Sequence, residues 1–269
     1  MPRPTFLVIG AAKGGATSLH YYLRQHPGVW MPAAKEINFY WDGAVAAGRD
    51  VPPTFADYVG CFAGASDGQA IGEISPQYLN SPAAAARIRA DVPDVKLVVS
   101  LRHPADRAYS DYLGRVRIGR EQRSFDTATG PGERIREDGF YAAKLATYLA
   151  HFPREQLLVI LHDDYARDTA GTLRQVFAFI GVDPDVRTDT GRRYNPAELP
   201  RSARLTRLAW AGRRRRGAGA VAPVVARQRA RRAVAAHHLP EGAAVSAGAA
   251  GGDARRLSRR YRGDVGADR

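Results

Sequence analysis

The chain opens on Phe6-Leu7-Val8-Ile9, an unbroken apolar run closed by Gly10. A short run of this kind fits a parallel strand buried on both faces. The small-residue stretch Ala11-Ala12-Lys13-Gly14-Gly15-Ala16-Thr17-Ser18 follows. Leu19, Tyr22 and Leu23 then recur at helical spacing until Pro27-Gly28 stops the pattern. The opening therefore reads strand, glycine-rich loop, helix. Ala70–Ile74 reads as a second strand ended by Ser75-Pro76, and residues 82–90 as a helix. Lys96–Leu101 is the strongest strand signal, and Pro104 suits the first turn of a helix expected to reach about Leu113. Residues 114–138 are polar and predict helix only in part. Tyr141–His151 predicts a helix and Leu157–Leu161 a further buried strand. Thr169–Ile180 predicts an amphipathic helix, with Leu173, Val176, Phe177 and Ile180 on one face and Gly181 as its cap.

Strands alternating with helices predict an α/β fold, a P-loop-like three-layer domain with a central parallel sheet. That domain is expected over residues 1–200. The pattern weakens after Pro200, and residues 201–269 read as a basic C-terminal segment, helical and packed on or extending the same domain.

Charge sharpens this division. The net +13 of the 269-residue chain is concentrated in residues 201–269, which hold 17 Arg against 4 acidic residues. Residues 1–200 balance 23 basic against 23 acidic residues. The domain itself therefore lacks the overall basic charge of a nucleic-acid binder, and only the last segment suggests an anionic partner. One cysteine, Cys61, excludes an internal disulfide. The apolar run at residues 6–9 is too short for a signal-peptide core, and no stretch approaches a membrane span. A cytoplasmic protein without a transmembrane segment is expected; the oligomeric state is not legible.

Two segments carry candidate chemistry. Successive backbone N–H groups in a glycine-rich turn leading into a helix form an anion cradle, and residues 10–18 have that composition, with Lys13 adding a mobile positive charge. A nucleotide-triphosphatase loop reads G-x-x-x-x-G-K-[ST]; Gly10 and Gly15 keep its spacing, but Ala16 stands where its lysine belongs. A plain Gly/Ala turn is the alternative. The second segment is Val99-Ser100-Leu101-Arg102-His103-Pro104-Ala105-Asp106-Arg107-Ala108-Tyr109-Ser110. Arg102 falls at the C-terminal end of the strong strand, the edge where open α/β sheets bind ligands, and Ser110 falls in the next helix. A guanidinium fork and a hydroxyl can hold a phosphate monoester. No Asp ends this strand to hold magnesium, which counts against ATP chemistry.

These segments resemble those of sulfotransferases that use 3′-phosphoadenosine-5′-phosphosulfate (PAPS), most closely the heparan-sulfate branch and its bacterial relatives. Residues 10–19 resemble the family's 5′-phosphosulfate loop, and residues 102–112 its 3′-phosphate motif with the Arg-to-Ser separation intact. Lys35-Glu36-Ile37-Asn38-Phe39-Tyr40 resembles its Glu-containing catalytic segment, and Glu73-Ile74-Ser75-Pro76-Gln77-Tyr78 its Glu-Lys-Ser/Thr-Pro-x-Tyr segment. Gly139-Phe140-Tyr141-Ala142 and Arg193-Tyr194-Asn195 match later landmarks, so the resemblance covers residues 4–200.

The resemblance implies roles residue by residue. Lys13 would contact the phosphosulfate and stabilise the departing phosphate. The backbone of Gly14, Gly15, Ala16 and Thr17, with the Thr17 and Ser18 hydroxyls, would cradle it. Arg102 and Ser110 would hold the 3′-phosphate, Tyr194 would lie near the adenine, and Glu36 would be the general base. Apart from the resemblance, Glu73 is the next candidate base, because its strand end is expected to face the same cleft. The reaction implied is sulfuryl transfer from PAPS to a hydroxyl or amine of a carbohydrate, glycolipid or secondary-metabolite acceptor, releasing 3′-phosphoadenosine-5′-phosphate (PAP), with no metal required. Tyr40, Trp41, Tyr58 and Tyr78 are candidate walls of an acceptor cleft, half of them expected in the core. Ile74 stands where the family often has Lys, and an arginine of residues 201–232 is a candidate second phosphate clamp. A small-molecule kinase on the same loop, and a nucleic-acid binder using the basic segment, are the competing readings.

Overall fold

The computed structural model describes residues 2–191. Within them the chain forms one parallel sheet from β1 (Phe6–Gly10), β2 (Val29–Trp30), β3 (Ala70–Ile74), β4 (Lys96–Leu101) and β5 (Leu157–Leu161). The spatial order is β2-β3-β1-β4-β5, with β1 between β3 and β4. Phe6, Leu7, Val8 and Ile9 are fully buried. Each such side chain contributes about 1.5–3 kcal/mol relative to an exposed one, which is why the run specifies a central strand.

Strand periodicity sorts these residues to two faces. Leu7, Ile9, Leu97 and Val99 pack beneath α3 (Ala84–Asp91) and α7 (Tyr141–His151), through Ile88 and Tyr148. Phe6, Val8 and Val98 pack beneath α1 (Ala16–Leu23) and α9 (Thr169–Ile180), through Leu19, Leu23, Leu173 and Phe177. The result is the expected three-layer α/β fold. A smaller cluster of Ala108, Tyr112, Phe125 and Ile135 joins α4 (Pro104–Arg117) to α5 (Phe125–Ala128) and α6 (Arg134–Glu137).

The strands expected from apolar runs are all present, and the differences lie at the edges of elements and in short elements. α1 begins at Ala16, so Thr17 and Ser18 belong to its first turn rather than to a loop. α4 continues past Leu113 to Arg117. Three short elements carry too little periodicity to be read from sequence: β2, α2 (Phe55–Gly60) and α8 (His162–Arg167). α2 is nonetheless capped locally, because the Thr54 hydroxyl accepts the Asp57 N–H at 3.2 Å. No helix among the described residues is long and apolar enough to cross a membrane. Tyr194 and the basic segment 201–269 lie outside the described residues.

Candidate active site

The chain reverses direction across the sheet at β1: β3 lies on one side of it and β4 on the other. Ligands of open α/β sheets bind outside the carboxyl ends of the strands at such a point. The loops leaving β1 and β4 meet there. Ala11 N–H donates to the Ser100 carbonyl at 2.8 Å, and the Ser100 hydroxyl donates to the Gly14 carbonyl at 2.6 Å. Gly14 N–H closes the turn on the Ala11 carbonyl at 3.0 Å, so this amide shapes the loop. A Cβ at Gly14 would lie 2.3 Å from the Ser100 carbonyl oxygen. Gly15, at φ 91, caps α1 in a conformation that L side chains avoid. The loop thus delivers the N-terminus of α1, where the helix dipole and first-turn amides favour an anion.

Lys13 also sits at positive φ, 72°. Its ammonium reaches α4 where Gly114 leaves room: a Cβ on Gly114 would lie 2.8 Å from Lys13 Nζ. Burial holds this ammonium below the usual lysine range; Asp111 opposes the shift, and Arg117, Arg102 and Arg107 add to it. Arg102 follows β4 directly, and its Nη1 lies 3.5 Å from the Lys13 carbonyl. The Tyr141 hydroxyl donates to the Arg102 carbonyl at 2.9 Å, tying α7 to the same corner. Ser110, on α4, is nearly buried and lines the same cleft as Lys13 and Arg102.

Glu36 reaches this cleft from the segment after β2. Its carboxylate pairs with Lys35 at 2.9 Å and with Arg49 at 3.7 Å. Lys35 Nζ also donates to the Thr17 hydroxyl at 3.3 Å. One ammonium therefore bridges the anion loop to the candidate base. The cleft measures about 600 Å³, within the range of small-molecule and nucleotide sites. Lys13, Thr17, Ser18, Glu36, Arg102 and Ser110 all line it. No cluster of His, Cys, Asp and Glu among the described residues could hold a metal ion.

Several placements differ from expectation. Glu73 does not face the cleft. Strand alternation turns it into the core, where it is 2% exposed and accepts the hydroxyls of Tyr58 at 3.2 Å, Ser75 at 2.7 Å, and Tyr78. Burial pushes its carboxyl up, against the opposing hydrogen bonds of Ser75, Tyr78 and Tyr58 and of the Ile37 amide. Tyr40, Tyr58 and Tyr78 are core residues and not cleft walls: their rings meet edge-on at centroid distances of 5.3 and 5.5 Å. Ile74 packs with Phe6 and Val8 in the core.

Other cleft residues have no site role assigned from sequence. Arg49 comes from the turn-rich stretch before α2, and Asp111 and Arg117 share α4 with Ser110. His162 and Tyr165 stand on α8 beside Gly15. His162 Nδ1 and Tyr165 Oη are buried without a hydrogen-bond partner among the described residues. Burial holds the His162 imidazole below its ordinary range, with Arg102 lowering it further. Their position immediately after β5, on the same strand edge, was the available signal.

Fold and site together define a parallel α/β protein whose anion cradle and carboxylate share one cleft at the switch point of its sheet. The sulfotransferase family model matches residues 49–185. A sulfotransferase crystal structure from Alicyclobacillus acidocaldarius superposes with a TM-score of 0.66 at 35% identity, covering 73% of this chain and 88% of that one. The chain belongs to the sulfotransferase family. It is 32% identical over 191 residues to human heparan sulfate glucosamine 3-O-sulfotransferase 3B1, covering 66% of this chain and 46% of the relative. The mouse bifunctional heparan sulfate N-deacetylase/N-sulfotransferase 4 is 29% identical over 223 residues, covering 72% of this chain and 24% of the relative. This chain thus spans less than half the length of these curated relatives.

Proposed function

We propose that the cleft binds PAPS and transfers its sulfuryl group to a hydroxyl or amine of a carbohydrate, glycolipid or secondary-metabolite acceptor, releasing PAP. One observation carries this reading: Lys35 links the Glu36 carboxylate to Thr17 at the start of α1, so a base and an anion cradle stand at adjacent points of one cleft.

The N-terminus of α1, with the Thr17 and Ser18 hydroxyls, receives the 5′-phosphosulfate. Arg102 and Ser110 receive the 3′-phosphate, the guanidinium through charge-assisted hydrogen bonds. His162 and Tyr165, which line the cleft beside Gly15, border the nucleoside on the β5 side of the loop. In the transfer step the acceptor oxygen or nitrogen attacks sulfur, and the bond from sulfur to the 5′-phosphate oxygen breaks. Negative charge grows on that phosphate, and Lys13 and the helix terminus stabilise it. The acceptor proton passes to Glu36. Such a reaction needs positioning and charge stabilisation more than covalent catalysis. Lys35 provides a cation next to Glu36, while position 74, where the resemblance expects lysine, contributes to the core.

Arg49 and Gln77 also line the cleft, groups suited to a polar acceptor beside Glu36. The relatives named for heparan sulfate support carbohydrate as the first class to try.

Incubation with PAPS and a panel of acceptors, with mass detection of an added sulfuryl group, tests the function. Transfer to a member of the panel with equimolar PAP is expected. Binding separates the competing readings: a kinase would prefer ATP–magnesium to PAP, and a nucleic-acid binder would show DNA affinity falling steeply with salt.

A further inference from the structure

Glu73 is a fully buried carboxyl to which the mechanism above gives no task. Its hydrogen bonds lead back to the cleft. Ser75 donates to Glu73 Oε2 at 2.7 Å and accepts the Asn38 N–H at 3.0 Å. The Asn38 side-chain amide donates to the Glu36 carbonyl at 2.7 Å. Glu36 N–H donates to the Ile74 carbonyl at 3.0 Å. The end of β3 thus holds Glu36 directly through its N–H, and Ser75 holds Asn38, whose side chain in turn holds the Glu36 carbonyl.

That grip holds an unfavourable conformation. Glu36 and Asn38 have φ of 68° and 59°, in the left-handed region that non-glycine residues rarely enter. Such residues persist where the surrounding structure over-determines them. The direction of a side chain follows from its backbone, so this turn is what aims the Glu36 carboxylate toward the cleft.

We propose that Glu73 and Ser75 form a positioning pair that locks the segment 36–38 and thereby aims Glu36. The proposal rests on Glu36 being the general base. A carboxylate suits the task because its two oxygens take three hydroxyl donors at once. By drawing the Ser75 proton to itself, Glu73 leaves a serine lone pair turned to the Asn38 amide. The simpler alternative is that Glu73 only satisfies the core hydroxyls of Tyr58 and Tyr78.

Ser75→Ala separates the two, because it cuts the link to Asn38 and leaves both tyrosines bonded to Glu73. Amide hydrogen exchange, read residue by residue by mass spectrometry on the full chain, should quicken at Glu36 and Asn38 by about tenfold, the scale of one lost buried hydrogen bond. Exchange in β1 and β4 should stay unchanged. Turnover with the acceptor found in the panel should fall about tenfold or more, mainly in kcat, with PAP affinity within about threefold. Glu73→Gln should move both readouts the same way. The double variant should be little worse than the poorer single one, since both cut one chain. Tyr58→Phe should leave exchange at residues 36–38 as in the wild type. Unchanged exchange at Glu36 and Asn38 in Ser75→Ala overturns the proposal, as does faster exchange with undiminished turnover. Glu36→Gln belongs in the same series: if it keeps wild-type turnover, the base assignment fails, whereas the exchange result still decides whether the pair locks the segment.

Discussion

Gly14→Ala is the sharpest test of the loop geometry. The added methyl would meet the Ser100 carbonyl oxygen at 2.3 Å, whereas ordinary contact begins near 3.4 Å. Ser100 is in β4, paired with β1 on one side and β5 on the other, so this oxygen cannot retreat. The loop must withdraw instead, by about 1 Å, carrying the start of α1 and the Lys13 backbone with it. Overpacking of this kind costs about 1–3 kcal/mol, which for a domain of this size lowers Tm by roughly 2–4 °C per kcal/mol. A reacting group misplaced by about 1 Å loses on the order of 10²-fold in rate. Gly14→Ala should therefore weaken PAP in a calorimetric titration and depress PAPS turnover by about 10²-fold, with a modest fall in Tm. Gly60→Ala is the control, because a Cβ there meets nothing within 4 Å; it should leave PAP binding and turnover unchanged. A Gly14→Ala protein that binds PAP and turns over PAPS like the wild type would refute the contact between the loop and β4 as the determinant of the site.

Two further outcomes follow from the same cleft. Arg102→Ala should weaken PAP by about tenfold or more, the scale of a charge-assisted hydrogen bond, while barely changing adenosine 5′-phosphosulfate, which lacks the 3′-phosphate; equal losses by calorimetry would remove Arg102 from the 3′ site. Lys13 binds an anion only while protonated, and burial holds its ammonium below the usual lysine range. PAP affinity should thus be full at lower pH and decline as pH rises through that lowered value, before an ordinary lysine would titrate. Lys13→Arg should abolish this alkaline decline, and a pH titration of Kd identical in both proteins would count against the assignment.

The central strands were legible because burial on both faces leaves a plain apolar run, as at residues 6–9 and 96–101. A two-residue strand such as β2 has no period to detect. Lys13, Glu36 and Arg102 were readable as motif residues, but their meeting depends on the order of the strands, which periodicity does not encode. Glu73 shows the opposite limit. A carboxylate in an apolar strand looks like a site residue, yet its alternation places it with Leu7's face, among the hydroxyls of Tyr58 and Tyr78. Those tyrosines were ambiguous for a related reason: an aromatic ring with a polar tip serves a core or a cleft equally well. Arg49, His162 and Tyr165 escaped because they belong to short or irregular segments whose approach to the cleft is set by tertiary packing.

Proton transfer in the proposed reaction depends on Glu36. Glu36→Gln preserves size and most hydrogen bonding but cannot take the acceptor proton, and loss of a general base costs about 10²–10⁴-fold in rate. With the acceptor that wild-type enzyme sulfates, single-turnover release of PAP from PAPS should slow by that factor, while PAP affinity stays within about threefold because Glu36 is not a phosphate ligand. Near-wild-type release by Glu36→Gln would contradict the account and send the search for the base elsewhere in the cleft.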